Sequence, residues 1–191
     1  YNQGVVLGAL VSLARAQRRE AGIPQRAVSE VGTEQITRVH QLVQAVASNL
    51  ASPEGVIGLG TGRGGSGNGG GDGGLFMGVL ARYLALVATD LPADLPNADE
   101  LRRRSAALVR SSAEAAWDTR AEVDDTVVFS ADWHRPAARP TRGGTDAAFV
   151  AGAVNSSAVP ERDLSVQLSG WMVLEAAAAI DLGLSEQNVR P

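Results

Sequence analysis

The chain has 191 residues and a formal net charge of −4; 45% of its residues are hydrophobic and 20% are charged. This composition is typical of a soluble globular domain and excludes a wholly disordered chain. The excess of acidic residues argues against nucleic-acid binding, which needs a positively charged surface. The absence of cysteine excludes disulfides and thiolate metal sites. No apolar run is predicted to approach the length of a membrane span.

Two amphipathic helices are predicted at the start of the chain. Residues 4–19 form the first, with an apolar face made of Val6, Leu10, Leu13 and Ala14. Residues 33–50 form the second, with Thr33 as N-cap. Its apolar stripe consists of Ile36, Val39, Val43, Val46 and Leu50.

A glycine-rich segment follows at residues 55–74, where 12 of the 20 positions are glycine. Such a segment offers few side chains to bury and loses much conformational entropy on ordering, so we expect a long loop here and no packed element. Residues 60–65 satisfy a dinucleotide-binding pattern of glycines. Because no strand precedes them and a glycine-rich stretch matches by chance, they do not predict a nucleotide site.

Three longer helices are predicted after this loop. The first covers residues 75–89, with a stripe of Leu75, Val79, Tyr83 and Leu86, and the second covers residues 98–120, where Asn97 and Glu100 resemble a capping box. The last covers residues 163–182, with Gly183 at its C-cap. Its inward face is predicted to consist of Leu164, Leu168, Trp171 and Ala178.

Between the last two helices, residues 121–144 are expected to be irregular, with a short strand at residues 127–129 and a further short helix at residues 146–154. Almost no strand is predicted, so the sequence indicates an all-α chain. Helices of roughly 15 residues joined by loops of uneven length are typical of stacked helical hairpins.

Five separated motifs occur in order along these elements. They are Tyr1-Asn2-Gln3-Gly4, Gly71-Asp72-Gly73-Gly74-Leu75-Phe76, Arg82-Tyr83-Leu84, Asp132-Trp133 and Asp163-Leu164-Ser165-Val166-Gln167-Leu168-Ser169-Gly170. At these spacings the set resembles the C-terminal half of glycoside hydrolase family 76, which comprises the α-1,6-mannanases and their relatives in fungal cell-wall glycan remodelling. The resemblance extends over nearly the whole chain.

The resemblance implies an (α/α)6 toroid, a ring of six inner and six outer helices with a sugar-binding groove across one end. Residues 1–191 would be the C-terminal portion of this single domain, with about half of the twelve helices. The family implies retaining hydrolysis of α-1,6-mannosidic linkages by two adjacent aspartates. In the family that pair precedes the Tyr-Asn-Gln-Gly motif, so we expect it upstream of this chain, and we expect this chain alone to be inactive.

Six residues are predicted to line the groove. Amides and carboxylates suit sugar hydroxyls, and an aromatic face stacks on a pyranose ring. The candidates are Tyr1, Asn2, Gln3, Asp72, Asp132 and Trp133. Four of them also have a structural interpretation: Asn2 and Asp72 are plausible N-caps, Tyr1 suits core packing, and the Trp133 ring suits packing that holds its loop against the helices. Phe76 and Trp171 are predicted to be core residues.

An adjacent aspartate pair and two histidines are further candidates for a functional site. Asp124-Asp125 is an adjacent pair, as a retaining glycosidase requires, but it stands in the wrong place in the family order, and a solvated acidic turn is the favoured interpretation. His134 and His40 lack a metal-site spacing, so no metal and no cofactor are predicted.

Three functions remain open at this point. The first is hydrolysis of α-1,6-mannan, with this chain supplying part of the groove, and the second is a transglycosidase acting on cell-wall or anchor glycans. The third is a non-catalytic glycan-binding or structural helical domain. The expected partners are the polysaccharide and either the missing N-terminal half or a second copy, because half a toroid would expose the apolar flanks of its inner helices. The family implies a secreted or cell-surface location.

Overall fold

The structure, a computed structural model, describes residues 2–20, 33–58, 71–140, 149–150, 153–154, 157 and 159–189. Within them lie five α-helices: α1 (Asn2–Glu20), α2 (Thr33–Asn49), α3 (Phe76–Asp90), α4 (Ala98–Asp118) and α5 (Leu164–Val189). Turns of 3-10 helix, Gly71–Leu75 and Pro160–Arg162, precede α3 and α5. The remaining regular structure is two antiparallel hairpins, β1 (Ala121–Val123) with β2 (Thr126–Val128) and β3 (Phe149–Val150) with β4 (Ala153–Val154). The all-α prediction is confirmed.

Several local predictions are wrong. The described residues of the helix predicted at 146–154 form the β3–β4 hairpin. Asn97 does precede α4, but its backbone is left-handed (φ 58°) and its side chain makes no capping bond, so the capping box does not form. Helix α5 continues past Gly183 to Val189, and Gly71–Leu75 is an ordered turn at the edge of the predicted loop.

Helices α1, α3 and α5 run in the same direction and form one layer, here called the inner layer, with α3 in the middle. Gly4 of α1 faces Leu80 and Tyr83 of α3. On the other side of α3, Gly78 faces Ser169 near the start of α5, and Thr89 near the end of α3 faces Gly183. The inner layer is therefore built from helices that are neighbours in space and distant in sequence.

Helices α2 and α4 form a second layer that runs against the first. The Arg102 Nε near the start of α4 donates to the Ala88 carbonyl near the end of α3 at 2.9 Å. The Ile57 amide, which follows α2, donates to Ser112 Oγ in the last third of α4 at 2.9 Å. The ends of α2 and α4 therefore lie together, and alternation between inner and outer helices is the order that half of an (α/α)6 toroid requires.

Small residues bring α3 and α5 unusually close. A Cβ on Gly78 would lie 2.7 Å from Ser169 Cα, which is shorter than any van der Waals contact between carbons. The Gly78 amide, in the first turn of α3, donates to Ser169 Oγ at 2.7 Å. This bond satisfies one of the amide hydrogens that a helix start leaves without an intrahelical acceptor.

On α1 and α5, which lie on either side of α3, the buried face differs from the predicted one. On α1 the predicted Ala14 is buried together with Leu7 and Val11, and the predicted Leu10 is half-buried against the core, whereas Val6 and Leu13 are exposed. On α5 the core residues are Val166, Val173, Ala176 and Ile180, whereas Leu164, Leu168, Trp171 and Ala178 are exposed. Both helices carry two apolar faces, and spacing alone does not tell which one packs. The stripe of α2 from Ile36 to Val46 is buried as predicted.

Contrary to the prediction that no apolar run approaches a membrane span, one helical stretch of the described residues, Gly71–Asp90, is long and apolar enough to cross a membrane by length and composition alone, with a mean hydropathy of 1.3. In the structure 56% of its most apolar part is buried, because α3 packs against α1, α4 and α5. Burial of this kind is what a central core helix requires.

Candidate functional site

The starts of α1, α3 and α5 and the ends of α2 and α4 lie at one end of the molecule, here called the site end. Residues 51–58, which follow α2, and residues 129–140, which follow the first hairpin, lie there as well. A Cβ on Gly58 would lie 3.0 Å from His134 Cε1, which brings these two loops into contact.

Asp163, immediately before α5, ties two distant segments to the helix start. Its Oδ2 accepts the Gly71 amide at 2.7 Å. Its two carboxylate oxygens accept the Ser157 amide at 3.2 Å, and Ser157 Oγ donates to Oδ1. A single carboxylate therefore fixes the turn that opens α3 and the segment that leads into α5.

Gln167, one helical turn later, holds the loop that follows β2. Its Oε1 accepts the Phe129 amide at 2.9 Å, and its Nε2 donates to the carbonyls of Phe129 at 3.1 Å and Glu161 at 2.7 Å. The buried Glu161 adds one bond, since its Oε1 accepts the Ala131 amide at 3.3 Å. The motif at residues 163–170 thus acts as a polar anchor for the loops of the site end.

Trp133 is completely buried in the core. Stacking on a sugar ring needs an accessible aromatic face, so this position fits the alternative interpretation, in which Trp133 plugs its loop against the helices. Trp171, predicted to be core, is instead 55% exposed. It meets the buried Phe129 edge to face, with ring centroids 5.4 Å apart.

Asp132 and His134 form a polar pair at the surface of the same loop. Asp132 Oδ1 accepts the His134 amide at 3.1 Å and lies 3.0 Å from His134 Nδ1. A carboxylate can only accept, so this contact requires the proton to sit on Nδ1. In the neutral ring, Nε2 is then left as a hydrogen-bond acceptor. Sequence reasoning missed His134, because only its spacing to the Asp132 carboxylate in the folded loop reveals this role.

Polar groups from the loop at residues 51–58 lie near this pair. The pKa of the exposed Glu54 carboxyl lies below its ordinary value, mainly because the Ser52 side chain and the Glu54 backbone donate hydrogen bonds to it, with a smaller contribution from His134. The carboxylate of Glu54 and the imidazole of His134 therefore share one polar edge of the site end.

The other groove candidates lie at helix starts. Asn2 and Gln3 are exposed in the first turn of α1, and Tyr1 lies outside the described residues. Asp72 is exposed in the turn before α3 and is not its N-cap, since Leu75 holds that position without a side-chain capping bond. An exposed carboxylate at a helix start is electrostatically favourable. Asn2, Gln3, Asp72 and Asp132 are thus at the same end, on three different segments. Phe76, predicted to be core, is 38% exposed.

Asp124 and Asp125 form the two-residue turn of the first hairpin, since Val123 pairs with Thr126. Both are exposed and both have positive φ, 48° and 60°. This is the backbone of a type I′ hairpin turn. The interpretation as a solvated acidic turn agrees with this geometry. Among the described residues, no group of three or more His, Cys, Asp or Glu side chains could hold a metal ion.

Comparison with known proteins finds a similarity in structure and none in sequence. No family model matches the sequence, and no curated protein matches it significantly. The GH76A α-1,6-mannanase from Salegentibacter sp. HEL1_6 is structurally similar, with a TM-score of 0.50, 25% sequence identity, and coverage of 91% of this chain and 38% of that enzyme.

Two further structures of that enzyme are inactive variants in which two neighbouring aspartates are replaced. One is bound to α-1,6-mannotriose, with a TM-score of 0.46 and 24% identity over 80% of this chain and 36% of that one. The other is bound to α-1,6-mannotetrose, with a TM-score of 0.49 and 25% identity over 91% of this chain and 38% of that one.

The chain therefore spans well under half the length of the enzyme that it resembles. Its five helices and their two-layer order match part of an (α/α)6 toroid, which confirms the predicted fold. The resemblance to the C-terminal half of the family predicted from the motifs is likewise confirmed, and the chain is a structural relative of the glycoside hydrolases of family 76.

Proposed function

We propose that this chain supplies part of the sugar-binding groove of a secreted or cell-surface glycosidase that cleaves α-1,6-linked mannan. The observation that carries this proposal is the similarity to a GH76A α-1,6-mannanase over 91% of the chain. The site end supports it, because the exposed Asn2, Gln3 and Asp72 and the half-buried Asp132 there offer amide and carboxylate groups of the kind that bind sugar hydroxyls.

In this proposal the acid/base chemistry comes from outside the chain. A retaining glycosidase needs two carboxyl groups about 5 Å apart, one ionised and one protonated. Asp124 and Asp125, the adjacent aspartates of this chain, lie instead in an exposed hairpin turn with left-handed backbone. The catalytic aspartates would then precede the Tyr1-Asn2-Gln3-Gly4 motif.

The loop at residues 129–135 would contact the glycan through Asp132 and His134, while Trp133 holds the loop in place. Asp132 fixes the His134 tautomer, so that Nε2 accepts a hydrogen bond from a sugar hydroxyl. The exposed ring of Trp171 is an alternative stacking platform to the buried Trp133.

A non-catalytic glycan-binding domain is the second candidate. The observation that favours it is that the adjacent aspartates of this chain, Asp124 and Asp125, form an exposed hairpin turn. Both candidates bind glycan, and they differ in whether an extended chain hydrolyses it.

The first test is titration calorimetry of the 191-residue chain with α-1,6-mannotetrose, with the variant His134→Ala and the matched control His40→Ala on α2. We expect binding by the wild type and by the control, and a loss of about tenfold or less for His134→Ala, the effect of removing one neutral hydrogen bond. Absence of binding by the wild-type chain, with circular dichroism showing that it is folded, would contradict the groove assignment.

The second test measures reducing-sugar release from linear α-1,6-mannan by this chain and by a form extended toward its N terminus. Activity of the extended form alone supports the hydrolase. Activity of the short chain that disappears in Asp124→Asn/Asp125→Asn would overturn the placement of the catalytic pair. If both forms bind but release no sugar, the transglycosidase and the binding domain are favoured.

A further inference from the structure

A cavity of about 550 Å³ opens between α3, α4 and α5, near the end of α3 and the start of α4, and so opposite the site end. Its apolar lining includes the buried Ala106 and Ile180. Three arginines also line it: Arg102, Arg103 and Arg110. The volume falls in the range typical of small-molecule sites, about 300 to 1,000 Å³.

Two of these arginines are held in place by the protein itself. Arg102 donates from Nε to the Ala88 carbonyl at 2.9 Å and from Nη2 to the Thr89 carbonyl at 3.5 Å. Arg110 donates from Nε and Nη2 to Asp181 Oδ1 at 3.0 and 2.6 Å. The Arg102 guanidinium, bonded to two backbone carbonyls, loses less side-chain freedom when a ligand binds. The pair of Arg110 with Asp181 is partly exposed and orients its guanidinium more weakly.

Hydrogen-bond donors remain after these contacts. A guanidinium carries five N–H groups, and Arg102 and Arg110 each use two in the bonds above. Arg103 is exposed and makes no ion pair within the part of the chain that the structure describes. Among the described residues, three guanidinium groups line the cavity together with the carboxylate of Asp99; Asp181 pairs with Arg110, and Asp90, next to the lining residue Thr89, pairs with Arg15. The cavity is thus locally positive in a chain whose net charge is −4.

We propose that this arginine cavity binds a small ligand that carries an oxyanion, either a phosphate or a carboxylate, on a body of about monosaccharide size. Arginine is the side chain best suited to such groups, because its planar fork donates two parallel hydrogen bonds to two oxygens. The cavity is larger than a bare inorganic anion, and part of its lining is apolar, so the remaining space accommodates the ligand body. This site is separate from the proposed glycan groove and does not depend on it.

The test is titration calorimetry at low salt with four probes: inorganic phosphate, glucose 6-phosphate, glucuronate and neutral glucose. Glucose is chosen as the sugar body so that binding in a mannan groove is not measured at the same time. The variants are Arg103→Gln and Arg110→Gln, and the matched control is Arg38→Gln, an exposed arginine on α2 outside the cavity. Arg102 is left intact because it caps the end of α3.

We expect glucose 6-phosphate or glucuronate to bind, neutral glucose not to bind, and each cavity variant to weaken binding about tenfold or more, since each removes charge-assisted hydrogen bonds. Arg38→Gln should bind as the wild type does. Whichever of the two sugars binds identifies the oxyanion.

Inorganic phosphate that binds as tightly as glucose 6-phosphate would overturn the role of the ligand body. Failure of all three anions to bind, or equal binding by the cavity variants, would overturn the site.

Discussion

The two ends of this molecule use polar side chains in different ways. At the site end, Asp163, Gln167 and Glu161 accept or donate hydrogen bonds to backbone groups of distant loops, and Glu161 is buried while it does so. At the opposite end, arginines on α1 and α4 pair with aspartates near or at the solvent, as Arg15 does with Asp90 and Arg110 with Asp181.

This difference matters because the two kinds of contact differ in what their removal costs. A buried side chain that bonds to backbone leaves unsatisfied partners when it is removed, whereas an exposed ion pair is exchanged for water at little cost. We therefore expect the loss of the Gln167 bonds to cost more stability than the loss of the pair between Arg110 and Asp181.

The largest effect is expected where α3 and α5 touch. Gly78→Ala places a Cβ 2.7 Å from Ser169 Cα, so the two helices must move apart. We expect a loss of about 2 kcal/mol or more in the free energy of unfolding, as for an overpacked core. Urea denaturation followed by circular dichroism measures it. Gly73→Ala is the control, since no atom lies within 4 Å of its added Cβ; equal losses in both variants would contradict a steric cause.

The next effect tests the polar anchor. Gln167→Ala removes three hydrogen bonds to the backbone of Phe129 and Glu161. We expect about 2 kcal/mol of destabilisation, because these groups lose their partners, together with faster amide exchange at residues 129–135. Gln41→Ala, on the exposed face of α2, should change neither. Unchanged exchange at residues 129–135 would show that Gln167 does not hold this loop.

A smaller effect is expected at the opposite end. Asp181→Asn breaks the pair with Arg110, but Asp181 has a side chain that is 65% exposed. Screening by solvent limits the loss to about 0.5 kcal/mol, and it should shrink further at high salt. A loss as large as that of Gln167→Ala would contradict the comparison between the two ends.

The smallest effect concerns pH. The pKa of Glu54 is lowered in the fold by the bonds from Ser52 and from its own backbone, so its carboxylate stabilises the fold at pH values above the ordinary pKa of glutamate. That contribution is lost as the pH falls through the lowered pKa. Glu54→Gln should reduce stability slightly at about pH 6 and by less at about pH 3. The urea midpoints at the two pH values measure this, and a larger loss at the lower pH would show that the sign is wrong.

Sequence periodicity predicted the existence and the approximate limits of all five helices, because each carries apolar residues at helical spacing. It did not predict which face packs on α1 and α5, since Val6 and Trp171 lie on a second apolar face that spacing does not distinguish from the first. Nor did it separate the roles within Asp132-Trp133-His134. A tryptophan next to a carboxylate gives the same sequence pattern whether its ring stacks on a sugar or packs in the core. Only the burial of the ring in the folded chain distinguishes the two roles.

The layered order of the helices also bears on how the chain folds. Contacts within the inner layer join residues far apart in sequence, as Gly78 with Ser169 and Gly71 with Asp163 do. Closing such long loops is entropically costly before any contact offsets it, and folding slows as the mean sequence separation of contacts rises. The hairpin of α3 and α4, joined by residues 91–97, brings together residues that are close in sequence. We expect it to form early, with the seam between α3 and α5 as the late, rate-limiting step.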